Sequence, residues 1–155
     1  MSIKIGDLAP DFTLMDTEKN KVSLADQKGS KVLLLFFPMA FTSVCTTEMC
    51  NMRDDMARYE SMNAKVFGIS VDSPFTLAKF KADQQLNFTL LSDFNKEVSE
   101  KYGCLYDTFI GWMKGVSKRS AFLIDEEGII RYAEVLESAG DLPNFQEINS
   151  ILEKK

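Results

Sequence analysis

The sequence predicts an α/β fold: a mixed central β-sheet flanked by helices, with a β-hairpin near the N-terminus. Three observations predict it. The apolar runs KVLLLFF and AKVFGISVD lack polar alternation, as strands covered on both faces do. Segments with helical apolar spacing separate and follow them, and strands alternating with helices imply a layered sheet. Two half-polar segments, APDFTLMD and KVSLAD, sit either side of TEKN and read as a hairpin. The 155 residues fit one domain, residues 1–155, long enough to bury a core without disulfides or metal.

The elements follow in order. After the hairpin, Lys28-Gly29-Ser30 forms a turn, and the run from Val32 to Phe37 is a central strand that stops at Pro38. From Ser43 to Met62 the pattern is helical. Cys45, Met49, Met52, Met56 and Tyr59 recur at spacings of four, three, four and three along one stripe. AKVFGISVD is the next buried strand. SPFTLAKFKADQQ is a helix with Ser73 as N-cap and Pro74 in its first turn. NFTLLSD is a short strand, and NKEVSEKYG a helix closed by Gly103. SAFLID and IIRYAEV flank EEG as a second hairpin, and PNFQEINSILEKK is a final helix starting at Pro143. The middle strands should run parallel and the last hairpin antiparallel.

Composition removes several function classes. The net charge of −5 disfavours nucleic acid and anionic membrane as partners. No run approaches the ~18 apolar residues of a membrane span. MSIKIGDLAPDF has no apolar leader core, so a cytoplasmic location is expected. The chain has no histidine, which removes the commonest metal ligand and the commonest general base. Its three cysteines, Cys45, Cys50 and Cys104, are too few for a disulfide framework. In a reducing compartment, closely spaced cysteines are more often catalytic, redox-active or metal-binding than structural.

Cys45 is the decisive residue. On a core stripe it is equally a small buried hydrophobe. Its place in the chain favours chemistry. With Thr42 or Ser43 as N-cap, Cys45 falls in the first helical turn, where free N–H groups and the helix dipole favour a thiolate. That helix leaves the carboxyl end of a buried central strand, where open α/β sheets place their sites.

The stretch PMAFTSVCTTE matches the P-x-x-x-T-x-x-C signature of the peroxiredoxins (AhpC/TSA family). GDLAPDFTL resembles that family's N-terminal strand, and KRSAFLIDEEGIIRY its arginine followed by the late hairpin. The resemblance runs from Ile5 to Leu152 and implies a thioredoxin-like fold and a thiol-dependent peroxidase. It implies Cys45 as the peroxidatic cysteine, which attacks a peroxide oxygen and becomes a sulfenic acid. Thr42 would hydrogen-bond the thiolate and the peroxide, besides capping the helix. Pro38 would shield the sulfur, besides ending the strand. Arg119 would set its cation beside sulfur and peroxide, where an arginine without this match would be a solvated residue. Glu48 matches an acidic position that holds the arginine; otherwise it is a favourable first-turn charge. No cofactor or metal is implied. Thiolate attack needs no histidine base once the sulfur is ionised.

Cys50 follows Cys45 by five residues. In a regular helix that separates the Cα atoms by roughly 8–9 Å, beyond disulfide reach, so the first turns would have to unwind before the two could pair. The Cys-x4-Cys pair resembles the bacterioferritin-comigratory (Q-type) peroxiredoxins, where the second cysteine resolves the first. The same stretch also resembles one-cysteine bacterial relatives. Cys104 reads as structural.

Three other functions compete. A thioredoxin-like disulfide oxidoreductase needs Cys-x-x-Cys, and a copper chaperone needs a histidine. A peroxide-sensing protein that relays oxidation to a partner shares the sulfenic acid and stays open. The family implies a peroxide substrate and thioredoxin or a similar thiol as reductant. TFIGWMKG, with Phe109, Ile110, Trp112 and Met113, offers either an apolar entrance for organic hydroperoxides or a homodimer surface.

Overall fold

The computed structural model describes residues 3–154. Seven strands form one mixed sheet in the order β2-β1-β5-β4-β3-β6-β7. The strands are β1 (Thr13–Asp16), β2 (Lys21–Ser23), β3 (Lys31–Phe36), β4 (Ala64–Ser70), β5 (Thr89–Ser92), β6 (Ser120–Ile124) and β7 (Ile130–Val135). The helices are α1 (Ser43–Ser61), α2 (Pro74–Gln84), α3 (Glu97–Lys101) and α4 (Phe145–Glu153). The central trio β5-β4-β3 is parallel, and both flanking pairs are antiparallel.

The continuous apolar run of β3 follows from its position. Leu33, Leu35 and Phe37 join a core that contains Met49, Met52, Met56 and Tyr59 of α1, Leu77 and Phe80 of α2, and Ile148 and Leu152 of α4. Val32, Leu34 and Phe36 point the other way, into a core with Val98 of α3, Tyr102 and Cys104. Side chains alternate across a strand, so two covered faces require two apolar sets. The core set extends α1's expected stripe by one residue, because Glu48 is buried with it.

Element boundaries differ from expectation for local reasons. The segment after β2 turns into a short 3₁₀ turn, Ala25–Gln27. Lys96, with a positive φ of 67°, keeps Asn95 and Lys96 out of α3. The last helix begins at Phe145 rather than Pro143, because the Asn144 side chain accepts from Glu147 N and so makes Asn144 the N-cap. That helix ends at Glu153; Lys155, which the expected helix included, lies outside the described residues, as do Met1 and Ser2. Ser73 caps α2 as expected, accepting from Thr76 N at 3.1 Å.

Gly68 in the middle of β4 sets how closely α1 approaches the sheet. A Cβ there would lie 2.7 Å from Leu90 Cδ2 and 3.3 Å from Met49 Sδ. Met49 is one turn from Cys45, so packing at Gly68 bears on the site. Gly68→Val should overpack this contact and destabilise the protein by about 1–3 kcal/mol. Urea unfolding checks it; an unchanged midpoint would show that the space is not limiting.

Candidate active site

The site forms where β3 ends, α1 begins and β6 starts. β3 and β6 are antiparallel, with Phe36 opposite Ser120. The next pair outward is therefore Phe37 and Arg119. Arg119 shares its face with Ala121 and Leu123, the face covered by α1. Register alone thus aims a long cation at the first turns of α1.

Between strand and helix the chain must turn sharply. Phe41 takes a positive φ of 70°. The Asp72 carboxylate pins this loop: its Oδ2 accepts from Ala40 N at 2.8 Å and from the Ser70 hydroxyl at 2.7 Å. Thr42 is the N-cap residue by backbone, but its side chain does not cap. The hydroxyl instead donates to Met39 O at 2.8 Å. The first-turn amides of α1 are left for whatever enters the pocket.

Cys45 is the third residue of α1 and is 1% exposed. Arg119 Nη2 donates to its Sγ at 3.1 Å. Arg119 Nη1 donates to Glu48 Oε1 at 2.7 Å, while Nε and Nη2 both donate to the carbonyl of Ala139, at 3.3 and 3.0 Å. Cys45 and Glu48 stand three residues apart, hence on one helix face. Above the sulfur is a pocket of about 190 Å³ lined by Pro38, Thr42, Val44, Phe109, Arg119 and Gly140, among others. Pro38 is buried and Thr42 exposed.

Electrostatics bind the trio together. Burial pushes the Glu48 carboxyl up to about 7, with the Arg119 charge and hydrogen bond pulling it back. Burial opposes the charge on Arg119, but Glu48 and Cys45 outweigh it and raise its pKa above the usual value. Glu48 Oε2 is buried and has no hydrogen-bond partner. The pocket therefore offers one sulfur, one fixed cation and free amide donors, a set able to stabilise negative charge on sulfur and on an adjacent oxygen. Among the described residues, no group of three Cys, Asp or Glu side chains is placed to hold a metal.

The structure brings Pro38, Thr42, Cys45, Glu48 and Arg119 together and leaves Cys50 outside. Cys50 is half-buried farther along the unbroken α1, and all three cysteines are free. Cys104 is in the core on the opposite side of the sheet, where burial pushes its thiol up to about 12. Sequence reasoning missed Ala139 and Asp72. Ala139 acts through a backbone carbonyl, which carries no sequence signal. Asp72 shows only as the polar last residue of a run read as a buried strand.

The model of the AhpC/TSA family matches residues 5–133, and the chain belongs to that family. It is 40% identical over 131 residues to peroxiredoxin Bcp of Escherichia coli K12, covering 84% of each chain. Peroxidoxin BcpB of Mycobacterium tuberculosis superimposes with a TM-score of 0.85 at 29% identity, over 97% of this chain and 96% of that one. A peroxiredoxin-like protein of Aquifex aeolicus gives a TM-score of 0.89 at 28% identity, over 99% and 88%. The fold is thioredoxin-like, and the protein is an enzyme, a thiol-dependent peroxidase.

The raised carboxyl has a pH consequence. Between about 4.5, its ordinary value, and about 7, folded Glu48 binds a proton that the unfolded chain has lost. Stability therefore falls as pH rises through that window. Glu48→Gln should remove this part of the slope. Urea unfolding at pH 5 and pH 8 should show wild type losing more stability than the variant; parallel losses would mean that Glu48 does not titrate there.

Proposed function

We propose that Cys45 is the peroxidatic cysteine of this peroxidase. The carrying observation is the buried Arg119 guanidinium, which bonds Cys45 Sγ and Glu48 Oε1 at once. The Cys45 thiolate attacks the terminal peroxide oxygen, the O–O bond breaks and the S–O bond of a sulfenic acid forms. The displaced oxygen takes a proton and leaves as water or alcohol. Arg119 stabilises the sulfur anion before attack and the departing oxygen afterwards. The Thr42 hydroxyl proton is spent on Met39 O, so Thr42 meets the peroxide O–H as an acceptor. Pro38 closes the pocket over the sulfur, and Glu48 orients the arginine.

A thiol returns Cys45 to its reduced form. Cys50 acts as the resolving cysteine, and thioredoxin or a similar dithiol protein reduces the resulting disulfide in the cytoplasm. Phe109 lines the pocket, and Ile110 and Trp112 just after it in the chain are exposed, which favours organic hydroperoxides beside hydrogen peroxide, and the same apolar segment suits a homodimer. No described helix is long and apolar enough to cross a membrane.

Peroxide consumption with thioredoxin and thioredoxin reductase tests these roles. Cys45→Ser should lose turnover and keep its fold; near wild-type turnover would sink the assignment. Cys50→Ser should give no intramolecular disulfide after one equivalent of peroxide, by mass spectrometry. Arg119→Lys keeps the charge but not the planar fork of donors. Its first-step rate should drop by about 10–100-fold, on the order of one charge-assisted hydrogen bond. An unchanged rate in stopped flow would assign charge stabilisation to another group.

A further inference from the structure

Cys50 has a contact that the peroxide pocket does not explain. Its Sγ donates to Gln84 Oε1, on the last residue of α2, at 3.4 Å. One turn farther along α1, Arg53 Nη1 donates to the backbone carbonyl of Gln84 at 2.6 Å. Asn87 Nδ2 in turn donates to Arg53 O at 3.2 Å. Gln84 is thus held through its backbone by Arg53 and holds Cys50 through its side chain.

On the other side of Cys50, the side chains of Cys45, Glu48 and Met49 hold α1 to Arg119 and the core, but its own first turn is poorly made. Thr42 does not cap α1 with its side chain. The Thr46 and Thr47 hydroxyls donate back to the carbonyls of Thr42 and Ser43, at 2.8 and 3.0 Å. Such back-bonding, together with the poor helix propensity of threonine, weakens a first turn. Beyond Cys50, Arg53 and Asn87 add backbone ties between α1 and the segment that ends α2.

We propose that Gln84 is a positioning residue for the resolving step: it latches Cys50 in the folded helix. This rests on the assignment of Cys50 as resolving cysteine. In that step the Cys50 sulfur attacks the Cys45 sulfur of the sulfenic acid. The S–O bond breaks, the hydroxyl leaves with the Cys50 proton as water, and a disulfide forms with no outside oxidant. Cys50 must first leave Gln84, so the latch stabilises the state before attack and not the attack itself. A longer-lived sulfenic acid is exposed to a second peroxide and to sulfinic acid formation.

Gln84→Ala removes the side-chain latch and keeps the carbonyl that Arg53 grips. Quenched-flow mass spectrometry should show an unchanged rate of sulfenic acid formation. Cys45–Cys50 disulfide formation should be roughly three- to tenfold faster, the range for loss of one weak hydrogen bond. The peroxide concentration giving half over-oxidation should rise by the same factor. Gln84→Glu retains an acceptor oxygen at the same reach and should return both values to near wild type, whereas a mere packing role would show no such rescue. If Cys50→Ser abolishes the disulfide but Gln84→Ala leaves its rate unchanged, the latch is overturned and the resolving assignment stands. If Cys50→Ser turns over like wild type, the resolving assignment falls and takes the latch with it.

Discussion

A charge buried in a small protein is the constraint on which the rest depends. Arg119 is 1% exposed, and its guanidinium is kept by three partners: the Glu48 carboxylate, the Cys45 sulfur and the Ala139 carbonyl. A charge taken out of water costs several kcal/mol unless it is paired, and removing one partner leaves the remainder uncompensated. The three partners come from two parts of the chain. α1 brings Glu48 and Cys45 on one face, and the segment after β7 brings Ala139. The Cys45 sulfur is therefore part of the structural solution for the arginine, and the arginine in turn is placed to stabilise negative charge on that sulfur.

The sheet keeps this arrangement separate from the chain's other thiol chemistry. Cys45 belongs to the core on the α1 face and Cys104 to the core on the α3 face. Between them lies the sheet, whose alternating side chains fill both sides. Burial keeps Cys104 protonated and inert as a nucleophile. Only Cys50 shares a helix with Cys45, so any intramolecular exchange must be made by changing that helix rather than by moving the sheet.

The legible parts of the site were those written in local sequence. Pro38, Thr42 and Cys45 lie within one strand-to-helix turn, and their spacing alone placed the sulfur in the first turn of α1. The elements themselves followed from periodicity, since β3 needs two apolar faces and α1 one stripe. Glu48 was legible only through the family resemblance, which matched it to an acidic position that holds the arginine; by itself it reads as a favourable first-turn charge. Ala139 was illegible because it serves through its backbone. The N-cap was legible as Thr42 or Ser43, and Thr42 is the cap by backbone; the direction of its hydroxyl depends on the turn at Phe41, which a residue type alone does not reveal. Asn144 displaced Pro143 from the start of α4 because side-chain capping, rather than proline, decides where a helix begins.

The pairing of β3 with β6 has a consequence for how such a chain can change length. Arg119 reaches α1 because Ser120 lies opposite Phe36, and a shift of one residue would turn the arginine to the α3 side. An insertion of a single residue at the start of β6 is thus equivalent to deleting the arginine, although nothing is removed. The turn at the other end of β6, where Asp125 Oδ1 accepts from Glu127 N and Ile129 N, lies a full strand length from the sulfur. Extra residues there lengthen a loop and leave the register intact. Variation in chain length is accordingly tolerated at one end of β6 and disabling at the other, and the difference is set by hydrogen-bond pairing alone.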